Sequence, residues 1–223
     1  PCEDMEQDGL VERLRESHTF KGGIDFYLND YNSLTLSTTF QTEDGGRPEA
    51  QTYRELDADL FPTAFYQRIS NQDETEVNQD YNLYYQRTFE REGMNLVGEV
   101  NLSMGDELEQ SDAVNDVQFG TPIVNVNNRT IEHQLNDVIT ARVDFTHPLN
   151  DTARLEIGAK SIIRTIDNDF KYYKLNGEQA DYDTLKSNHF VYTEQIHAVY
   201  DTYGNKYGKL GLQGGLRFEP ALT

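Results

Sequence analysis

From Lys209 to Glu219 every second residue is apolar. Leu210, Leu212, Gly214, Leu216 and Phe218 share one parity, and Gly211, Gln213, Gly215, Arg217 and Glu219 share the other. A period of two is the signature of an extended strand with one greasy and one wet side. His189–Tyr203 repeats it, with Phe190, Tyr192, Ile196, Ala198 and Tyr200 against Thr193, Gln195, His197 and Asp201, and with Glu194 breaking the apolar run. A glycine-bounded turn at Gly204–Gly208 is expected between the two strands, because positive φ costs glycine little.

The same unit recurs upstream. Gly22, Ile24, Phe26 and Leu28 alternate, turn through Asn29-Asp30-Tyr31-Asn32, and return as Leu34, Leu36, Thr38 and Phe40. Tyr81, Leu83, Tyr85 and Phe89 turn at Glu90–Gly93 and return as Leu96, Gly98, Val100, Leu102 and Met104. Ile139, Ala141, Val143 and Phe145 turn at His147–Thr152 and return as Leu155, Ile157, Ala159 and Ser161. The pattern therefore predicts eight strands, at about 20–29, 33–43, 79–89, 94–104, 135–147, 153–166, 188–203 and 208–219. Between hairpins lie long acidic stretches without a period (44–76, 105–132 and 171–187), which are expected to be loops. Residues 1–17 are polar and acidic, and Leu10–Leu14 fits either a short helix or the outer end of a strand.

Strict alternation of short and long connections decides between two all-β architectures. A soluble sandwich has no reason to place every long loop at one end. An up-and-down membrane barrel has short turns on one side and long loops on the other. The expected fold is therefore an antiparallel transmembrane β-barrel segment, with short periplasmic turns and long external loops. Lipid-facing positions are expected at Ile139, Val143, Phe145, Leu155, Ile157, Leu210, Leu212, Leu216 and Phe218. Positions facing a lumen or plug are expected at Arg142, Asp144, Glu156, Lys160, Gln195, His197, Gln213 and Arg217. Phe26, Phe40, Phe89, Phe145 and Tyr200 near strand ends fit interfacial girdles, or core or surface positions. A soluble sandwich or surface binding module, and a closed eight-stranded barrel, remain alternatives.

Charge and composition narrow the functions. Lys and Arg number 19 against 39 Asp and Glu, a formal net charge of −20. That excess repels phosphate and argues against nucleic acid and against a basic patch on anionic headgroups. One cysteine, Cys2, permits no intrachain disulfide, and Pro1 looks like a cut point. The histidines His18, His133, His147, His189 and His197 are scattered, so no catalytic group is expected and no enzyme is inferred. Asp167-Asn168-Asp169 and Asp181/Asp183 lack the spacing and glycine of a calcium loop, so no metal or cofactor is expected. Asn128-Arg129-Thr130 and Asn150-Asp151-Thr152 fit a glycosylation pattern and are read as incidental. Gly214-Gly215 inside a strand suggests close packing against a plug or a neighbouring side chain.

The strings KGGIDFYLNDYNSLTLS, DYNLYYQRTFEREG, DFTHPLNDTARLEIGAKSIIRTIDNDF and SNHFVYTEQIHAVYDTYGNKYGKLGLQGGLRFE resemble the barrel of TonB-dependent outer-membrane receptors, most of all the outer-membrane β-barrel family common in Bacteroidetes. The resemblance covers about residues 20–219. It implies a bacterial outer-membrane location, contact with outer-membrane lipid, a plug domain, energy from TonB and a scarce or large nutrient as ligand. The chain departs from that pattern in showing no plug and no TonB-contact segment, so it is expected to be an internal piece of a larger barrel.

Overall fold

The computed structural model describes residues 4–123, 126–177 and 179–223. The expectations that touch Pro1 and Cys2, and residues 124, 125 and 178 of the expected loops, lie outside the described residues. Among those described there is no helix, and every strand joins one antiparallel sheet. The strands are β1 (Asp4–Val11), β2 (Leu14–Asn29), β3 (Asn32–Leu56), β4 (Pro62–Thr88), β5 (Asn95–Phe119), β6 (Asn128–Pro148), β7 (Ala153–Asn176), β8 (Gln179–Tyr182), β9 (Asn188–Tyr207), β10 (Leu210–Phe218) and β11 (Ala221–Leu222).

β1 and β2 pair end to end along β3, while β10 and β11 pair end to end along β9, so the eleven segments occupy eight positions plus the short β8 on β7. The break between β1 and β2 falls opposite Pro48. Gly46 pairs with Leu14 and Glu49 with Val11, and Pro48 between them keeps only the bond from the Glu12 amide to its carbonyl, at 3.1 Å. Proline donates nothing to a ladder, so the neighbouring strand breaks there. The choice left open at Leu10–Leu14 resolves as strand.

Four lower turns come close to expectation. Asn29 Oδ1 accepts from the Tyr31 amide at 3.0 Å, and Asn150 Oδ1 accepts from the amides of Thr152 and Ala153 at 2.9 Å. This capping explains the Asn-Asp-Thr motif without a glycan. The last turn is shifted. β9 runs through Gly204 to Tyr207, and the reversal falls at Gly208, whose φ is +61°.

The long loops are corrected. β3 and β4 stay paired from Asn32/Arg87 up to Leu56/Pro62, so 44–76 is the outer half of a hairpin that turns at 57–61. β5 and β6 stay paired to Ala113/Asn128, and β7 continues through 171–176 before β8 forms a small outer hairpin on it. β3 and β4 are 25 and 27 residues long. A membrane strand needs only about 9–11, so these hairpins stand well clear of the bilayer.

Register carries a further regularity. Leu36, four residues past the start of β3, lies in one cross-strand row with Leu83, Val100, Ala141, Ser161 and His197, and His197 lies ten residues before the end of β9. That is a slip of about six residues over five strand steps. With roughly 3.3 Å rise and 4.8 Å spacing it corresponds to a tilt of about 40°, inside the barrel range. The sheet does not close on itself: its path ends at β1 and β10, and no ladder joins them. Among the described residues this removes the self-closing eight-stranded alternative, and the single sheet removes the sandwich.

Candidate functional site

The two faces of this sheet differ sharply. Ile139, Val143, Phe145, Leu155, Ile157, Leu210, Leu212, Leu216 and Phe218 all lie on one face, by direct pairing through β6, β7, β9 and β10. No layer of the described protein covers them: Ile139 is 45 % exposed, Leu210 59 % and Leu216 78 %. On β2, β3, β5 and β6 the apolar run lasts about nine residues and then stops, at Phe20, Phe40, Met104 and Ile139 respectively. An uncovered apolar band of that height fits a bilayer. Buried side chains away from the turns, among them Glu43, Tyr66, Asn168 and Ala198, belong to the opposite face.

Arg142, Asp144, Glu156, Lys160, Gln213 and Arg217 share that opposite, inner face. Gln195 and His197, expected beside them, do not. They stand on the outer face with Ile163 and Ser161, and Ser161 Oγ lies 2.9 Å from His197 Nδ1. Tyr200, Ala198, Ile196, Tyr192 and Phe190 point inward instead. The reason is tilt. The band has slid down β9 to about Val199–Tyr207, so residues 189–197 lie at or above its upper border, where apolar parity no longer reports lipid. Tyr200 is therefore no girdle residue. Its ring lies over Gly158, where an added Cβ would overlap it and sit 2.6 Å from Asp144 Oδ1, and its hydroxyl donates to Asp144 at 2.5 Å. Arg142 Nε donates to Glu99 at 2.6 Å, and Asn82 Nδ2 donates to the same carboxylate at 2.8 Å. Gly215 approaches Thr202 and the Asp201 carbonyl of β9 closely, which accounts for one glycine of the pair without a plug, while Gly214 faces open space.

Above the band the inner face carries a feature that alternation does not reveal. Glu43, Glu76, Glu107, Gln134 and Asn168 form one cross-strand row, and Arg15, Gly45, Glu74, Glu109 and Glu132 form the next. Six glutamates thus face one another across four strands. Their partners are local: Arg15 pairs with Glu43, Asn78 donates to Glu76 at 2.6 Å, and Asn168 donates to Glu132 at 2.6 Å. Partial burial, and then the charges of Glu74 and Glu76, push the Glu107 carboxyl above its ordinary value. Burial and the neighbouring glutamates do the same to Glu109. Carboxyl oxygens of Glu43, Glu74 and Glu76 come within 4.8 Å of one another. Beside them a cavity of about 230 Å³ is lined by Arg13, Arg15, Arg47, Gln72 and Glu74. Such a wall concentrates negative field, holds the Glu107 and Glu109 protons more tightly than free carboxyls do, and presents guanidinium groups at its rim. In sequence all of these glutamates but Glu43, which ends an expected strand, sit inside stretches read as loops, and only the register brings them together.

The aspartates weighed for calcium are dispersed. Asp167 bonds His189 at 2.7 Å and Asp169 pairs with Lys171 at 2.7 Å on the outer face, Asn168 points inward, Asp181 accepts from Asn176 at 2.7 Å, and Asp183 caps the following turn. Asn128 Oδ1 is held by Arg68 at 3.0 Å.

Comparison with curated proteins finds no match to the chain. A family profile described as "Outer membrane protein beta-barrel family" matches residues 87–223. That span is more than half of the chain and includes the strands whose bare apolar band has just been described. The protein sits in the bacterial outer membrane, and it belongs to the outer membrane protein β-barrel family.

Proposed function

We propose that this sheet is part of the wall of a TonB-dependent importer that takes up a scarce or large nutrient of the siderophore, glycan or peptide class. The observation that carries the reading is the difference between the two ends of each hairpin. Below, the sheet is a membrane wall with a polar inner face. Above, its strands continue for a further dozen or so residues, bearing the two glutamate rows and the arginine-lined cavity on the same inner side. A wall that only anchored the protein would have no use for polar height of this kind, whereas a receptor needs it to bind solute before passage. The unpaired edges β2 and β10 support further wall strands beside them, because unpaired backbone groups in lipid cost several kcal/mol each. A plug and TonB are the partners this reading requires.

The test is growth of the parent bacterium with the gene deleted, on limiting iron, glycan or peptide sources in turn. The expected result is one source-specific defect, reproduced by loss of TonB and restored by the wild-type gene. Unchanged uptake on every source, or a defect indifferent to TonB, overturns the reading.

A further inference from the structure

A chain with 39 acidic residues against 19 Lys and Arg gathers three guanidinium groups, those of Arg13, Arg15 and Arg47, around one hollow. This is the cavity of about 230 Å³ above the band, on the inner face beside β2. Two features of the sequence build it. Pro48 breaks the neighbouring strand, and Arg13 lies in that break, outside the ladder. Gly45 stands in the inner row between Arg15 and Glu74 and leaves open the space a side chain would take. An added Cβ there would meet Glu74 at 3.8 Å, an ordinary contact, and Gly45 has no positive φ, so the backbone does not demand a glycine. The three guanidinium groups are unequally engaged. Arg15 pairs with Glu43, Arg47 reaches Glu49 only at 3.5 Å, and Arg13 makes no ion pair or hydrogen bond among the described residues. Arg13 and Arg47 therefore keep donors for a carboxylate, whose two oxygens match the guanidinium fork.

The remainder of the wall selects what that carboxylate is attached to. The row that carries Arg15, Gly45 and Glu74 continues to Glu109 and Glu132, where a second hollow of about 100 Å³ is lined by Glu107, Glu109, Glu132 and Gln134. This side of the wall repels a polyanion and attracts an ammonium group. Gly45 on β3 is two strand steps from Glu109 on β5 and three from Glu132 on β6. At roughly 4.8 Å per step the two hollows are about 10–14 Å apart. An extended chain advances roughly 3.3–3.6 Å per residue, so about three or four residues bridge them.

We propose that the inner face above the band binds a short peptide by its two ends, the terminal carboxylate in the arginine hollow and the terminal ammonium in the glutamate hollow. The inference rests on the importer reading above and narrows its ligand to peptides of about three or four residues with free termini. The arginine hollow carries the argument, and the glutamate hollow fixes the length and the charge of the other end. A neutral glycan would leave both hollows unanswered, and a simple anion would meet the repulsion of the glutamate rows.

Affinity selection by the full-length protein in detergent tests this, with mixed tetrapeptide libraries as probes: one free at both ends, one amidated at the carboxyl end and one acetylated at the amino end. Mass spectrometry of the retained fraction is expected to show the free library, with each blocked library reduced about tenfold or more, the loss that goes with a charge-assisted contact. Arg13→Gln is expected to lower retention of the free library towards that of the amidated one, and to change the amidated one little. Gly45→Leu fills the hollow and is expected to do the same. Arg13 is exposed and outside the ladder, so its variant keeps the test in force if Gly45→Leu fails to fold. Equal retention of the three libraries, retention of none, or an Arg13→Gln protein that holds the free library as the wild type does would each overturn the inference. The importer reading is judged apart from it. TonB-dependent growth on iron or glycan with no tetrapeptide retained overturns this inference alone, whereas retained tetrapeptides with uptake indifferent to TonB overturn the importer reading alone.

Discussion

The lower and upper halves of the same strands are built from one hairpin ladder but face different surroundings. In β3, Leu34, Leu36 and Phe40 face outward against threonine and serine, whereas beyond Thr42 the residues on both faces are mostly polar. The ladder passes through that boundary without a bulge, from Asn32/Arg87 to Glu55/Ala64. Backbone pairing is thus indifferent to what lies outside, and side-chain polarity alone records where lipid ends. What the lower half gains from lipid, the upper half must supply by cross-strand pairs such as Arg129–Asp112 at 2.6 Å and the Tyr53–Tyr66 stack at 4.9 Å.

The sharpest way to break the comparison uses two valines of equal exposure. Val143 in the band is 45 % exposed and Val114 in the upper half of β5 is 42 % exposed, both on the outer face. Val143→Arg puts a guanidinium among acyl chains and is expected to cost about 2–4 kcal/mol. Val114→Arg meets water and is expected to stay within about 0.5 kcal/mol. Urea unfolding of the vesicle-inserted protein measures both. Equal costs would mean that the band does not face lipid.

A second contrast is between the faces. Gly158→Ala drives a methyl into the Tyr200 ring and Asp144, whereas Gly98→Ala adds one where nothing lies within 4 Å. The expected cost at Gly158 is about 1–3 kcal/mol for overpacking, and the expected change at Gly98 is close to zero or slightly stabilising. The same unfolding assay reads both, and equal losses would argue that Tyr200 does not rest on Gly158.

What the sequence made legible follows the same division. Alternation is readable only where the two faces of a strand meet different solvents, so the lower ends of the strands and all nine outward apolar positions could be placed by parity. The upper halves present polar groups on both sides, and 44–76 reads as loop although its two arms are paired with each other up to the turn at 57–61. Glu74/Glu76 and Glu107/Glu109 keep strand spacing within their own segments, but these pairs, Glu43 and Glu132 are far apart in the chain, and only a register extended upward from the tight turns brings them together. β9 was misread for a related reason. Its apolar even positions lie above the tilted band, and there parity reflects packing on the inner wall, as at Ala198. Tilt is a property of the sheet and is invisible in any single strand.

The smallest expected effect probes the upper half alone. Glu107 and Glu109 hold their protons more tightly in the folded protein than the ordinary carboxyl value of 4.5, because they are partly buried and face other glutamates. A carboxyl with a raised folded value binds more protons folded than unfolded, so stability falls as pH rises through that value. Repulsion is complete at neutral pH. It is relieved as pH drops through the raised values, and the gain levels off below about 4.5, where the unfolded chain takes up protons as well. Each like-charged neighbour across the ladder is worth roughly 0.2–1 kcal/mol. Hydrogen exchange of the outer hairpins, corrected for the intrinsic rate, should therefore be slower at pH 5 than at pH 7 around residues 72–78 and 105–111, with the band unchanged. The double variant E107Q/E109Q removes the proton binding and most of the repulsion together. It is expected to show slow exchange at both pH values, while retaining the Asn78–Glu76 and Asn168–Glu132 bonds. If the variant keeps the full pH response of the wild type, the glutamate rows are not what destabilises the upper half, and their facing arrangement across β3–β6 is wrong.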